Sequence, residues 1–171
     1  MLLKNIEIKA YIRDYNKLLK KVENFCNKPV EIQNQRDTFF NTPAGRLKLR
    51  ETDNDSALIY YDRTDSLEPS QSDIAISLTD NPETLKTLLS KSNGIRGIVL
   101  KKRSLYKYGQ TRIHIDDVSG LGKFIELEVV LEENQSVNDG ENIANDLMNK
   151  LDIQKSDLID VAYIDLIEKN H

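Results

Sequence analysis

Gly45-Arg46-Leu47-Lys48-Leu49-Arg50-Glu51 spaces three cations two residues apart, with leucines between them. Read with the two-residue period of a β-strand, Arg46, Lys48 and Arg50 share one face, and Leu47 and Leu49 the other. A row of like charges repels itself, so it must face water or meet an anion. The pattern recurs along the chain. Lys101 and Arg103 share a face in Val99-Leu100-Lys101-Lys102-Arg103, and Arg112 shares one with Asp116 in Arg112-Ile113-His114-Ile115-Asp116. Asn5, Glu7 and Lys9 lie opposite Ile6 and Ile8, while Glu126 and Glu128 lie opposite Ile125, Leu127 and Val129. Several strands therefore carry dense mixed charge on one side and aliphatic residues on the other.

The elements that position these faces follow from local signals. A strand runs from Leu3 to Tyr11, and Asp14 caps a helix carrying Leu18, Leu19, Val22, Phe25 and Cys26 until Pro29 closes it. Glu31 to Asn41 is a strand, and Thr42-Pro43-Ala44-Gly45 turns into the Arg46 strand. Asp53-Asn54-Asp55 is turn chemistry, so Ala57 to Arg63 pairs back as a hairpin. A loop from Ser66 to Ser72 leads to a strand at Asp73–Leu78, with apolar positions 74, 76 and 78. Asp80 or Asn81 then caps a helix with Pro82 in its first turn, a buried stripe of Leu85, Leu88 and Leu89, and a stop at Asn93-Gly94. Strands follow at Ile95–Tyr108, Thr111–Val118 and Lys123–Glu132, joined by Gly109-Gln110 and by Ser119-Gly120-Leu121-Gly122. Helices at Gly140–Leu151 and Asp157–Lys169, the latter capped by Ser156, end the chain.

This is an α+β pattern of eight strands in hairpin order, mostly antiparallel, with helices after the first and fifth strands and a pair at the end. Four amphipathic helices can cover the aliphatic face of such a sheet. The charged face then meets water or a polyanion, and if the sheet closes it lines a tunnel. Burying Lys9, Arg46, Lys48, Arg50, Arg63, Lys101, Arg103 and Arg112 without partners would be prohibitive. Glu7, Asp116, Glu126 and Glu128 offset part of that charge, and the remainder calls for a compact, highly charged anion. The 171 residues fit one domain, 1–171. A net charge of -4 argues against a nucleic-acid track. The lone Cys26 excludes an internal disulfide framework and fits a reducing compartment. No run of about 18 apolar residues is present, so no membrane span is expected, and a cytoplasmic protein follows.

The ordered set of motifs resembles the CYTH family, also called triphosphate tunnel metalloenzymes, and within it the class IV adenylate cyclase branch. Asn5-Ile6-Glu7-Ile8-Lys9 is similar to its Glu-x-Glu-x-Lys signature with Asn for the first Glu. Gln35-Arg36-Asp37-Thr38-Phe39-Phe40, Leu49-Arg50-Glu51, Lys101-Lys102-Arg103-Ser104, His114-Ile115-Asp116 and Gly120-Leu121-Gly122 leading to Phe124 and Glu126 fall in the family's order. Ala162-Tyr163-Ile164-Asp165-Leu166 resembles its C-terminal Ser-Tyr-x-x-Leu helix, with Ala for Ser.

The resemblance implies an eight-stranded antiparallel barrel whose bore holds a small-molecule triphosphate with Mg²⁺ or Mn²⁺. It assigns Lys9, Arg46, Lys48, Arg50, Arg63, Lys101, Arg103 and Arg112 to the phosphates, matching Arg forks and Lys point charges to phosphate oxygens. It assigns Glu7, Glu126, Glu128 and Asn5 to the metal, as hard oxygen ligands, and Glu7, Asp116 and Glu126 to catalysis. Water as nucleophile gives a triphosphatase acting on thiamine triphosphate, tripolyphosphate or a nucleoside triphosphate; attack by the ATP 3'-hydroxyl gives cyclic AMP and pyrophosphate. A third outcome is a triphosphate sensor without turnover. Asn5 removes one carboxylate and weakens a second metal position. No Trp is present, so Tyr60, Tyr61, Tyr106 and Tyr108 are the rings available to a base. His114 touches phosphate, holds Asp116, or is a plain barrel histidine. A homodimer is allowed.

Overall fold

The computed structural model describes residues 2–63, 65 and 67–171, with Leu2 and Leu3 as backbone only. The elements are β1 (Leu2–Tyr11), α1 (Tyr15–Cys26), β2 (Glu31–Phe40), β3 (Arg46–Glu51), β4 (Ser56–Arg63), β5 (Ser70–Leu78), α2 (Pro82–Ser92), β6 (Ile95–Tyr108), β7 (Thr111–Val118), β8 (Gly122–Val130), α3 (Val137–Leu151) and α4 (Tyr163–Lys169). The strands close into a barrel in the order β1-β5-β4-β3-β2-β6-β7-β8. Closure comes from β1, which pairs antiparallel with β5 on one side and β8 on the other.

Alternation along each strand sorts side chains into bore and outer wall. Ile6, Ile8 and Ala10 of β1 and Ile125, Leu127 and Val129 of β8 point outward, where α1 brings Leu18 and Val22, and α3 brings Ala144, Leu147, Met148 and Leu151. Gly140 lets α3 approach: a Cβ there would lie 2.5 Å from Ile6 Cγ1. Asp14 caps α1 by accepting from Lys17 N–H, and Ser136 and Asp139 close a capping box on α3. A second core of Phe39, Val99, Val118, Phe124, Ile159, Ala162, Tyr163 and Ile164 seals one end of the barrel. There Ile164 packs so closely on β6 that a Cβ on Gly97 would meet its Cδ1 at 2.6 Å.

Three expectations need correction. Helix α2 starts as read, with Asn81 as cap and Pro82 behind it, but none of its residues is buried and Leu88 is 59% exposed. Its leucines rest on the rim of the wall rather than inside a core. The last helix begins at Tyr163, not Asp157. Ile159 N–H instead donates to Lys9 O and Leu158 bridges Ala10, so the segment before the helix is held extended by β1. The loop expected from Ser66 to Ser72 gives way to β5 at Ser70, because Ser70 and Ser72 pair with Glu7 and Asn5; Ser66 lies outside the described residues.

Candidate functional site: a charged bore with two poles

The bore encloses a cavity of about 290 Å³, at the small end of ligand sites. Lys9, Lys48, Arg50, Arg63, Lys101, Arg103 and Arg112 all line it, and so do Glu7, Glu126 and Glu128. Seven of the eight cations named from the sequence are thus brought together. Arg46 is not: it sits at the sealed end, donating to Asp65 at 3.0 Å and to Asp165 at 2.9 Å. Asp165 also accepts from Arg96, tying α4 to the barrel on two sides.

Strands β2, β3 and β6 build a cationic pole around one carboxylate. Register places Asp37 opposite Arg50 and next to Val99, two residues from Lys101. Asp37 Oδ1 accepts from Arg50 Nε at 2.8 Å, while Oδ2 accepts from Arg50 Nη2 at 2.7 Å, Lys101 Nζ at 2.9 Å and Lys48 Nζ at 3.1 Å. Burial opposes the charge on Asp37, but Arg50, Lys101 and Lys48 outweigh it and hold the carboxyl well below its usual range. Burial, with Arg50 beside it, brings Lys48 down to about 8 despite the pull of Asp37. Burial likewise brings Lys101 down to about 7, with Arg50 and Arg103 adding to it and Asp37 opposing.

Strands β1, β7 and β8 build a carboxylate pole. Glu7 lies opposite Glu128, and Lys9 opposite Glu126, on the β1–β8 ladder. Glu7 accepts from Arg63 at 3.1 Å, Glu128 accepts from Arg112 at 2.8 Å and from Asn5 Nδ2, and Glu126 lies 3.4 Å from His114 Nδ1. Burial, then repulsion from Glu126 and Glu128, raises the Glu7 carboxyl to about 7, with Arg63 pulling the other way. Burial opposes ionisation of Glu126 too, but Arg103, His114 and Lys9 hold it well below its usual range. His114 is depressed by burial and by Arg103.

Asp116 stands between the poles, fully buried behind the cavity wall. Arg103 Nε and Nη2 each donate to it at 2.7 Å, and Tyr163 Oη donates at 2.8 Å. This fork lowers Asp116 against its own burial. It makes Asp116 a holder of Arg103 in this structure.

The donors suit a hard divalent cation in kind. Three mutually repelling carboxylates come from adjacent strands, and Asn5 Oδ1 is buried with no partner beside Glu128. Among the described residues no three His, Cys, Asp or Glu side chains already converge as a closed metal group; each carboxylate is instead held by a cation or an amide. The set fits a cation that arrives with its anion and takes over those contacts.

Sequence reasoning placed β2 but assigned no site residue to it. Glu31, Gln33, Gln35, Asp37 and Phe39 face the bore, and Gln35 donates to Gln33, which donates to Glu31. The period-two polar row was present in the sequence, but its opposite face, with Asn34 and Arg36, is polar as well and hides which side points inward. Of the four tyrosines offered for stacking, only Tyr61 lines the cavity. Tyr60 alternates to the outer face, Tyr106 is buried beneath α1 with its hydroxyl on Glu23, and Tyr108 packs on Phe25. Tyr163, not considered as a ring, lies on the cavity with Lys9 Nζ 4.2 Å from its centroid. Ile59, Ile74 and Ile76 of β4 and β5 give the bore one aliphatic side.

The molecule has relatives in both sequence and fold. A protein of Methanocaldococcus jannaschii named as a candidate adenylate cyclase is 26% identical over 94% of this chain and 97% of its own. A Pyrococcus horikoshii structure superposes with a TM-score of 0.84 at 24% identity, covering 95% of this chain and 98% of that one. A Hippeastrum protein, described as a candidate adenylyl cyclase with a dominant triphosphatase activity, superposes at 0.69 and 13% identity, covering 98% and 96%. Residues 3–163 match the CYTH domain, and with the closed barrel and its charged bore this places the chain in the CYTH family.

Proposed function

We propose that the protein is a metal-dependent triphosphatase that holds a triphosphate along the bore between the two poles. The observation that carries this reading is the asymmetry of the cavity: three cations share one carboxylate at one pole, and three carboxylates gather at the other. A triphosphate chain matches both. Lys48, Arg50 and Lys101 take its oxygens at the cationic pole, while Lys9, Arg63, Arg103 and Arg112 flank the chain toward the carboxylates. Glu7, Glu126 and Glu128, with Asn5 Oδ1 behind them, would hold Mg²⁺ or Mn²⁺. A cation bound there supplies charge neutralisation and Lewis acidity at the phosphates.

Phosphoryl transfer asks the protein chiefly for positioning and for stabilising charge. Arg103 is fixed by the fork on Asp116, so its orientation is set before ligand arrives. Tyr163 and the segment before α4 close one end of the bore against water. In the hydrolytic reading Glu126, held ionised, and Glu7, near neutrality, are the groups that accept or orient a proton of the attacking water, and Asp116 acts through Arg103. The Hippeastrum protein's described triphosphatase activity agrees with hydrolysis in this fold.

The name of the Methanocaldococcus relative favours a second reading, cyclisation of ATP to cyclic AMP and pyrophosphate. The side formed by Ile59, Ile74 and Ile76 with Tyr61 gives a base or thiazole ring an apolar surface, whether the reaction is hydrolysis or cyclisation. One assay separates them. The purified protein is given ATP, thiamine triphosphate and tripolyphosphate with Mg²⁺ or Mn²⁺, and orthophosphate, pyrophosphate and cyclic AMP are quantified together. Orthophosphate release is expected. Cyclic AMP with equimolar pyrophosphate would establish the cyclase, and binding without product a sensor.

A further inference from the structure

We propose that Asp37 is the positioning residue of the cationic pole, a built-in counter-ion that gathers Lys48, Arg50 and Lys101 and aims them at a polyphosphate. This rests on the reading of the bore as a triphosphate site and adds to it a residue and a pH dependence.

The geometry is specific. Asp37 is 1% exposed, and its four contacts come from two neighbouring strands, β3 and β6. It takes Arg50 by the Nε and Nη2 edge, which leaves the Nη1 side of the guanidinium free of that fork. Each lysine gives Asp37 one of three ammonium protons and keeps the others for a ligand. An arriving polyphosphate finds its donors already aimed, at the cost of one negative charge beside its own.

The groups facing this cluster limit what else can titrate. Lys48 sees Asp37, Arg50 and Arg103, with the Phe39 and Tyr61 rings near it. Lys101 sees Asp37, Arg50, Arg103 and Lys48, with the Tyr163 ring 5.7 Å away. Asp116, paired with Arg103, is the other nearby carboxylate. Burial raises Tyr61 and Tyr163, so both stay neutral, and the arginines stay charged. The two lysines, with values of about 7 and about 8, are therefore the titrating members of the pole.

Removing the charge of Asp37 has two opposed effects. At pH 5.5 both lysines of the wild type are protonated, and in the variant a bound polyphosphate takes the place of Asp37 as their counter-ion without meeting a like charge. At higher pH the variant's lysines, without the carboxylate both are bonded to, deprotonate earlier, so binding requires proton uptake. The test measures tripolyphosphate binding by calorimetry, without metal, from pH 5.5 to 8.5, for wild type and Asp37→Asn. The ligand's own titration is common to both and drops out of the ratio. The variant should bind about 3-fold tighter at pH 5.5 and about 10-fold weaker at pH 8, so the curves cross.

Parallel curves, offset by any factor, would overturn the proposal while leaving the bore as a triphosphate site. Absence of binding by wild type at every pH would overturn both. If Asp37→Asn does not fold, Lys101→Gln decides: it should abolish the loss of affinity that begins near pH 7 and leave the later one from Lys48. An unchanged profile in that variant overturns the proposal.

Discussion

The two poles of the bore are built from the same residue types by the same strand alternation, yet their balance is opposite. On β2, β3 and β6 one carboxylate serves three cations; on β1 and β8 three carboxylates crowd together and share Arg63, Arg112, Lys9 and His114. The consequence is visible in protonation. The lysines at the first pole are pulled toward neutrality, and Glu7 at the second is pushed toward the acid form. A site with cations in excess at one end and mutually repelling carboxylates gathered at the other is matched by a ligand that is itself divided: a polyanion and its cation.

The sharpest way to break this comparison is to neutralise each pole in turn. Glu126→Gln should lower metal-dependent turnover by about 100-fold or more while leaving metal-free tripolyphosphate binding intact or tighter. Arg50→Gln should weaken metal-free binding by about 10-fold, the value of one charge-assisted fork, with little change in the metal concentration needed. Calorimetry and product release measure both. If each variant affects binding and metal dependence equally, the poles are not separate.

Asn5 tests the carboxylate pole from the other direction. It is fully buried, bonded to Glu128, and leaves Oδ1 unpartnered. Asn5→Glu adds a charge where three already repel. It should raise Mn²⁺ affinity by about 3- to 10-fold and lower the melting temperature of the chelator-treated protein. Unchanged metal titration would show that position 5 does not contribute to the metal site.

The smallest effect concerns stability. Glu7 is raised from 4.5 to about 7, so the folded protein binds more protons than the unfolded chain between those values. Its contribution is present below pH 4.5 and is lost as pH rises through 7. Glu7→Gln should therefore match wild type near pH 4.5 and melt a few degrees higher at pH 8, in the absence of metal. Added Mn²⁺ should narrow that gap by compensating the ionised carboxylate. A gap of the same size at both pH values would show that Glu7 does not titrate in this range.

Local periodicity carried most of the fold. The alternation of Arg46, Lys48 and Arg50 with leucine, and of Glu126 and Glu128 with aliphatics, is a property of the strand itself, so it named seven of the bore's cations and three of its four glutamates before any pairing was known. Caps were equally local, as at Asp14 and Asn81. What the sequence could not decide was which strands meet. The β1–β5 and β2–β6 neighbours are far apart in sequence, and only the β2–β6 pairing brings Lys101 to the Asp37 that the β2–β3 pairing sets opposite Arg50. The same holds for the segment before α4, where a helical pattern from Asp157 loses to hydrogen bonds offered by β1, and for Arg46, drawn from the bore by Asp65 and Asp165. Side-chain periodicity fixes a face; partners fixed by distant chain decide what that face holds.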